Sequence, residues 1–503
     1  MRKIVCSAMI AAALIAGCKK SQREEAEGAA KVAAVESNKK ETAPPKVETL
    51  TEVPLVSSSK EAIAELRQAR AMQDNVRAAE QLEHLRKAVA LDPNFAQAHV
   101  DLAFAAPGDE ARQSLERARA LVGTLPEAAR LDVESSLAFA DADIPKARSI
   151  CEKLAALVPA DHRPQVCIGN AASAVGDVAA AATAYEKAIA SNPNLASPYN
   201  NLAYARMAQR QYEPALAAIE KYVELAPGEP NPHDSKGEIL MAAGRYADAE
   251  QAFLRAIEVQ PQFAIAWQGV AFSRMLRGDW AGGRAALAEQ KKAAVDPRSK
   301  VAADTDLAMS YLASGQPAQA LAGLDAAEKA AIPAGATAQH AFIPLLRSAV
   351  QIETGKAAQA LTSVDTALTR AKALHRADQI GGVTRNALVY RIYAQAKLGK
   401  ADDAAATFEQ LRAEADKVPD NRKEQADIHV GAGLVAMARG DAAAAVSELS
   451  KCEVNELFCQ WQLALAQEKA GDKEAAAVTR KAIRDGAKRS WQYLYIVSKL
   501  PKS

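Results

Sequence analysis

Aromatic side chains make up only 5% of the 503 residues, and neither sign of charge dominates, with 62 Lys and Arg against 61 Asp and Glu. Few aromatics, beside a 49% hydrophobic fraction dominated by alanine, disfavour sheet cores and suit closely packed helices. A formal charge of +1 supplies no global field to draw in nucleic acid or anionic lipid. Beyond the first eighteen residues no apolar run reaches the length of about twenty that a membrane-crossing helix needs.

Signatures of chemistry are missing too. The seven histidines (His84, His99, His162, His233, His340, His375 and His429) are scattered, with neither an i, i+4 histidine partner nor a nearby cysteine pair to make a zinc site. Gly355-Lys356-Ala357 and Gly399-Lys400-Ala401 lack the upstream glycine and the following Ser or Thr of a phosphate-binding loop. There is no G-x-S-x-G elbow, and Asp161-His162-Arg163 stands without the other kinase motifs. The expectation is a protein that is not an enzyme, with no cofactor and no metal.

What is present begins with Arg2 and Lys3, an apolar run from Ile4 to Ile15, and then Ala16-Gly17-Cys18. The order of charge, short apolar stretch and small residues is that of an export signal. Leu14-Ile15-Ala16-Gly17-Cys18 resembles the lipobox of bacterial lipoproteins, which implies removal of residues 1–17 and lipidation of Cys18. Three acyl chains on that cysteine would hold the protein to a membrane. By the habit of that family, Lys19 after the cysteine points to the periplasmic face of the outer membrane. The alternative is a plain secretory signal with a chance cysteine. Residues 18–58 are rich in Lys, Glu, Ala, Ser and Pro, lack a hydrophobic period, and read as a flexible tether with a reach of about 35 Å.

From residue 59 the chain repeats. Pro93, Pro126, Pro159, Pro193, Pro227 and Pro261 are spaced 33, 33, 34, 34 and 34 apart, each ending a helix it cannot continue. Gly169, Ala181, Tyr185 and Ala188 recur as Gly237, Ala249, Phe253 and Ala256, while Tyr199 and Trp267 hold a bulky position early in the first helix. These residues resemble the tetratricopeptide repeat. The resemblance implies an all-α, right-handed α-α superhelix of about twelve helix pairs, in which small residues let two antiparallel helices approach and an aromatic fills the gap. The regular array spans 59–297. Over 298–503 the marker is Gly278/Gly283, Gly315/Ala320, Gly355/Ala360, Gly399/Ala404, Gly440/Ala445 and Gly471/Ala476, at spacings that predict longer, degenerate repeats. Asp177, Asp279, Asp441 and Asp472 follow such glycines, where a carboxylate caps the second helix. The aromatic ending from Trp491 to Ile496 reads as a helix covering the open end of the stack, or as a docking helix for a partner.

Six cysteines are present, of which Cys6 leaves with the signal and Cys18 takes lipid. The repeat places Cys151 and Cys167 on helices that touch, and Cys452 and Cys459 on either side of one short link, so two local disulfides are expected, with buried free thiols as the alternative. Neither C-x-x-C nor C-x-x-C-H spacing occurs, which argues against a redox or haem site.

The resemblance makes the face lined by first helices the place for a peptide or helix. The family's carboxylate clamp would fall on Val166, Asn170, Asn201, Asn231 and Ser235, which lack its cations. Asn200, Tyr204, Asp234, Glu238, Gln268 and Phe272 extend this into a polar strip with two aromatics, for which solvated helix surface is the competing reading. The function expected is a lipid-anchored interaction scaffold of the periplasm serving outer-membrane assembly, a pilus or secretion, with other proteins as partners. The alternative is a non-catalytic recruiter or regulator of cell-wall enzymes.

Overall fold

The structure is a computed structural model. It describes residues 50–75, 77–106, 108–374, 377–417, 422–453, 456–486 and 488–500. The signal, Cys18 and the tether up to residue 49 lie outside the described residues.

Twenty-five α-helices and no strand occur among the described residues. The first four pairs are α1 (Lys60–Asp74) with α2 (Ala78–Leu91), α3 (Ala96–Ala105) with α4 (Gly108–Leu121), α5 (Glu127–Ala140) with α6 (Ile144–Leu157), and α7 (Arg163–Ala174) with α8 (Val178–Ser191). Next come α9 (Ala196–Ala208) with α10 (Tyr212–Leu225), α11 (Pro230–Ala242) with α12 (Tyr246–Val259), and α13 (Ala264–Leu276) with α14 (Trp280–Ala293). The rear half holds α15 (Pro297–Ala313) with α16 (Pro317–Ala331), α17 (Thr337–Glu353) with α18 (Ala357–Ala371), and α19 (Ala377–Lys397) with α20 (Ala401–Ala415). It ends with α21 (Arg422–Ala438) and α22 (Ala442–Leu449), then α23 (Leu457–Lys469) and α24 (Lys473–Arg484), and a single last helix α25 (Trp491–Lys499).

Local chemistry sets these boundaries. Gly244, Gly278 and Gly315 turn first helix into second with φ of 77°, 89° and 80°, a conformation that a Cβ disfavours. Asp177, Asp279, Asp441 and Asp472 then accept the amide three residues on, at 3.2, 2.8, 2.9 and 2.9 Å. The first helices lengthen from 13 residues in α9, α11 and α13 to 17, 17, 21 and 17 in α15, α17, α19 and α21.

In two of the pairs, α7 with α8 and α11 with α12, a glycine faces an aromatic ring. A Cβ on Gly237 of α11 would stand 2.6 Å from the Phe253 ring of α12, and one on Gly269 of α13 would meet the same ring. Phe253 is fully buried, so three helices share one side chain. The close approaches between helices two apart in the chain are all made by first helices, which therefore line the inner face of the stack.

At the front this inner face closes on itself. Arg70 of α1 is buried and donates to Asp101 of α3 at 2.7 Å and to Asp132 of α5 at 3.0 Å, while α1 also touches α9. The tether ends sooner than residue 58. Residues 50–58 lie extended against the array, with the Val56 amide donating to Gln97 Oε1 at 2.9 Å, the Val53 amide to Asp161 at 3.1 Å and the Ser58 amide to Asp92 at 3.0 Å. So short a stretch shows no hydrophobic period, yet Val53 and Leu55 pack into the apolar clusters of the first three pairs while the backbone amides fasten the segment.

Two disulfides join neighbouring elements. Cys151 of α6 bonds Cys167 of α7 with a Cα separation of 6.0 Å, and Cys452 after α22 bonds Cys459 of α23 at 6.4 Å, both within the usual range.

Gly237→Ala is expected to destabilise the array by about 1–3 kcal/mol, because the added methyl overpacks against Phe253. Thermal melting followed by circular dichroism measures this, with partial recovery in the double variant carrying Phe253→Leu. An unchanged melting curve for Gly237→Ala would contradict the shared-ring account.

Candidate functional site

The inner face of α9, α11, α13, α15 and α17 carries most of the strip expected from the sequence. On α9, the Tyr204 hydroxyl donates to Glu238 of α11 and lies 3.2 Å from Ser235 Oγ. Ser235 in turn donates to Asn231 Oδ1 at 3.2 Å, so Tyr204, Asn231, Ser235 and Glu238 form one network across two pairs. Burial and then the Glu238 charge push the Tyr204 phenol well above its ordinary range, so the tyrosine stays a donor. Gln268 of α13 donates its amide to Asp306 of α15.

Other expected residues stand apart. Asn170 is exposed and accepts from Tyr185 of its own pair at 2.9 Å. Asn200 is half-buried, and its Oδ1 finds no hydrogen-bond partner among the described residues, while Asn201 is half-buried beside it. Phe272 is a correction. It is only 2% exposed and belongs to the apolar cluster that holds Tyr493, Leu494 and Ile496, so it is core rather than groove surface.

The occupant of this face is the chain itself. Helix α25 does not cover the open end of the stack, because it packs on α13, α15 and α23, all of them first helices. Arg489, just before it, donates to both oxygens of Asp234 at 2.9 and 3.2 Å and pairs with Glu238 at 2.8 Å. Burial raises the pKa of the Asp234 carboxyl, and the Arg489 guanidinium is the largest opposing influence. At the other end Tyr495 donates to Glu353 of α17, which also accepts from Tyr393 of α19 at 3.0 Å. The end of α24 and the link after it are tied down as well, with Arg210 donating to the Ala482 carbonyl and Tyr212 to that of Asp485, each at 3.0 Å. Sequence reasoning missed Arg489, Asp306, Glu353, Tyr393 and Tyr495 as parts of the site. Asp306 alone carried a readable signal, since it follows Tyr204, Glu238 and Phe272 at the same spacing of 34.

Beside Trp491 the face opens into a cavity of about 430 Å³ walled by Asp306, Phe342, Leu346 and Val383 among others. Burial lifts Asp306 to about 6, and the Gln268 amide only partly offsets it. No group of three or more His, Cys, Asp or Glu is placed to hold a metal among the described residues. No helix among them is long and apolar enough to cross a membrane.

A carboxyl whose folded pKa lies above its unfolded value favours the folded state at low pH and loses that contribution as pH rises from about 4 through about 6. Asp306→Asn is therefore expected to raise the melting temperature at pH 8 and to leave it nearly unchanged at pH 4. Equal shifts at both pH values would show that Asp306 is not held in a disfavoured charged state.

Comparison with known proteins follows the same lines. A family model described as tetratricopeptide repeat matches residues 168–230 and 235–297. No curated protein matches the chain. Among solved structures, a tetratricopeptide repeat protein from Parabacteroides merdae is 17% identical over 52% of this chain and 99% of its own, with a TM-score of 0.39. The Cut9-Hcn1 hetero-tetramer of APC/C is 14% identical over 83% of this chain and 78% of its own, at 0.38. MamA from Desulfovibrio magneticus is 18% identical over 34% of this chain and 96% of its own, at 0.31. Residues 168–297 thus carry tetratricopeptide repeats, and the fold of the array is the all-α superhelix that such helix pairs build.

Proposed function

We propose that this protein is a non-catalytic interaction scaffold of a bacterial envelope, anchored by lipid on Cys18 to the periplasmic face of the outer membrane. It serves an apparatus for outer-membrane assembly, a pilus or secretion. One observation carries the interaction part: the inner face holds a helix of the chain itself through a two-pronged Arg489–Asp234 contact, a Tyr495–Glu353 hydrogen bond and buried aromatics. A surface that seats one helix this way has the chemistry to seat another. The anchor rests on the lipobox-like run ending at Cys18, and the two disulfides suit an oxidising compartment.

Two measurements test these parts separately. A photo-crosslinking amino acid at Asn201 on the inner face should capture a defined protein in living cells. The same probe at exposed Lys187 on the second helix α8 should not capture it. Equal capture from both positions would remove the inner face as the binding surface. Cys18→Ser is expected to move the protein from the membrane fraction to the soluble periplasmic extract, and a variant still in the membrane fraction would overturn the lipid anchor.

A further inference from the structure

The seated segment is built unlike the rest of the stack. Twelve pairs are complete at α24, and each pair buries its apolar stripe against its neighbours, whereas α25 is a single helix with no pair of its own. Its fixed points are far away in sequence: Arg489 reaches Asp234 across 255 residues and Tyr495 reaches Glu353 across 142. Beside them Tyr493, Leu494 and Ile496 are buried in the large cluster formed by the middle pairs. Arg, Tyr and Trp at the centre of a desolvated contact, with a guanidinium gripping a carboxylate on two prongs, are the residues that dominate binding energy at protein interfaces. On the array side, the only cation paired with Asp234 or Glu238 among the described residues is Arg489. The first helices thus present an acidic seat that the stack itself does not neutralise.

We infer that the inner face of α9 to α17 is a receptor for a short helix preceded by an arginine and faced with aromatic and aliphatic residues, and that residues 488–500 are a resident copy of that ligand. The inference rests on the interaction reading above and names the partner's chemistry. A partner helix takes the Asp234 and Glu238 seat with its own arginine and displaces α25. The cavity of about 430 Å³ beside Trp491 gives such a partner an advantage over α25, because its largely apolar walls accept one more apolar side chain than the resident segment supplies. Asp306 at the wall favours a partner that also brings a hydrogen-bond donor there.

The test uses the full chain and a fluorescent peptide of residues 485–503, read by fluorescence anisotropy. Arg489→Glu in the chain sets a carboxylate against Asp234 and Glu238 and should release α25, so the peptide is expected to bind this variant at least tenfold more tightly than the wild-type chain. A peptide carrying the same Arg489→Glu change is expected to lose that binding at least tenfold. Equal affinity of the unaltered peptide for both chains, or no binding to a folded Arg489→Glu chain, overturns the proposal. If that variant does not fold, hydrogen exchange of the wild type decides. Amides of α25 exchanging at least tenfold faster than those of α11 and α13 support a displaceable segment, and one common rate for all three makes α25 a fixed part of the core and overturns it. Failure to capture a cellular protein at Asn201 while the peptide still binds would count against the scaffold reading and not against this one.

Discussion

The array depends on how closely two helices can lie, and in its regular part that distance is set where a small residue, at its tightest a glycine under an aromatic ring, faces the neighbouring helix. Gly237 and Gly269 both press on Phe253, and Gly169 presses on Tyr185, leaving no room for a methyl group at any of the three. Because one ring serves three helices, the spacing within a pair and the spacing between pairs are fixed by the same contact. A small residue recurs at that place every 34 residues, as Gly169, Ala203, Gly237 and Ala271, so first helices crowd first helices and the inner face follows. A stack held by nearest neighbours needs no long-range pattern to form, which is why its rear half tolerates first helices of up to 21 residues.

Crowding the first helices also removes water from whatever polar groups they carry. A carboxylate there must find a cation or become costly to ionise, and both outcomes occur. Asp101 and Asp132 share Arg70, Asp234 and Glu238 share Arg489, and Asp306, with only an amide, is lifted to about 6. The two cations come from opposite ends of the folded chain, Arg70 from the first helix and Arg489 from the link before the last helix. In both sites first helices supply the acid and a segment near one end of the folded chain supplies the base. A balanced total of charge therefore conceals a strong local division that composition could not reveal.

What the sequence made legible follows from this. Prolines, turn glycines and capping aspartates act on backbone within a few residues, so the helix pairs and their boundaries could be read in order along the chain. The strip through Tyr204, Asn231, Asp234 and Glu238 was readable because the 34-residue register puts it on one face, and continuing the register leads to Asp306. Phe272 keeps the same register but is buried, since register states which way a side chain points and not what covers it. Arg489 was out of reach, because nothing near it in sequence indicates a partner 255 residues earlier. Residues 50–58 were read as tether for a related reason: amides that every sequence possesses fasten them to Gln97, Asp92 and Asp161, and the two apolar anchors Val53 and Leu55 are too few to make a period.

The missing cations at the clamp positions take on a different sense in this light. Val166, Asn170, Asn201, Asn231 and Ser235, where the resemblance would place a carboxylate clamp, bring no cation, and the network through Asn231, Ser235 and Tyr204 leads instead to Glu238, which shares Arg489 with Asp234. A face with that polarity repels a carboxylate and attracts a guanidinium, which reverses the kind of ligand it can hold. With the face covered, two neighbouring carboxylates and no cation would be costly, so whatever covers this face is favoured when it brings one. A guanidinium answers that polarity, and the fold supplies one from Arg489, just before an unpaired helix that packs on α13, α15 and α23.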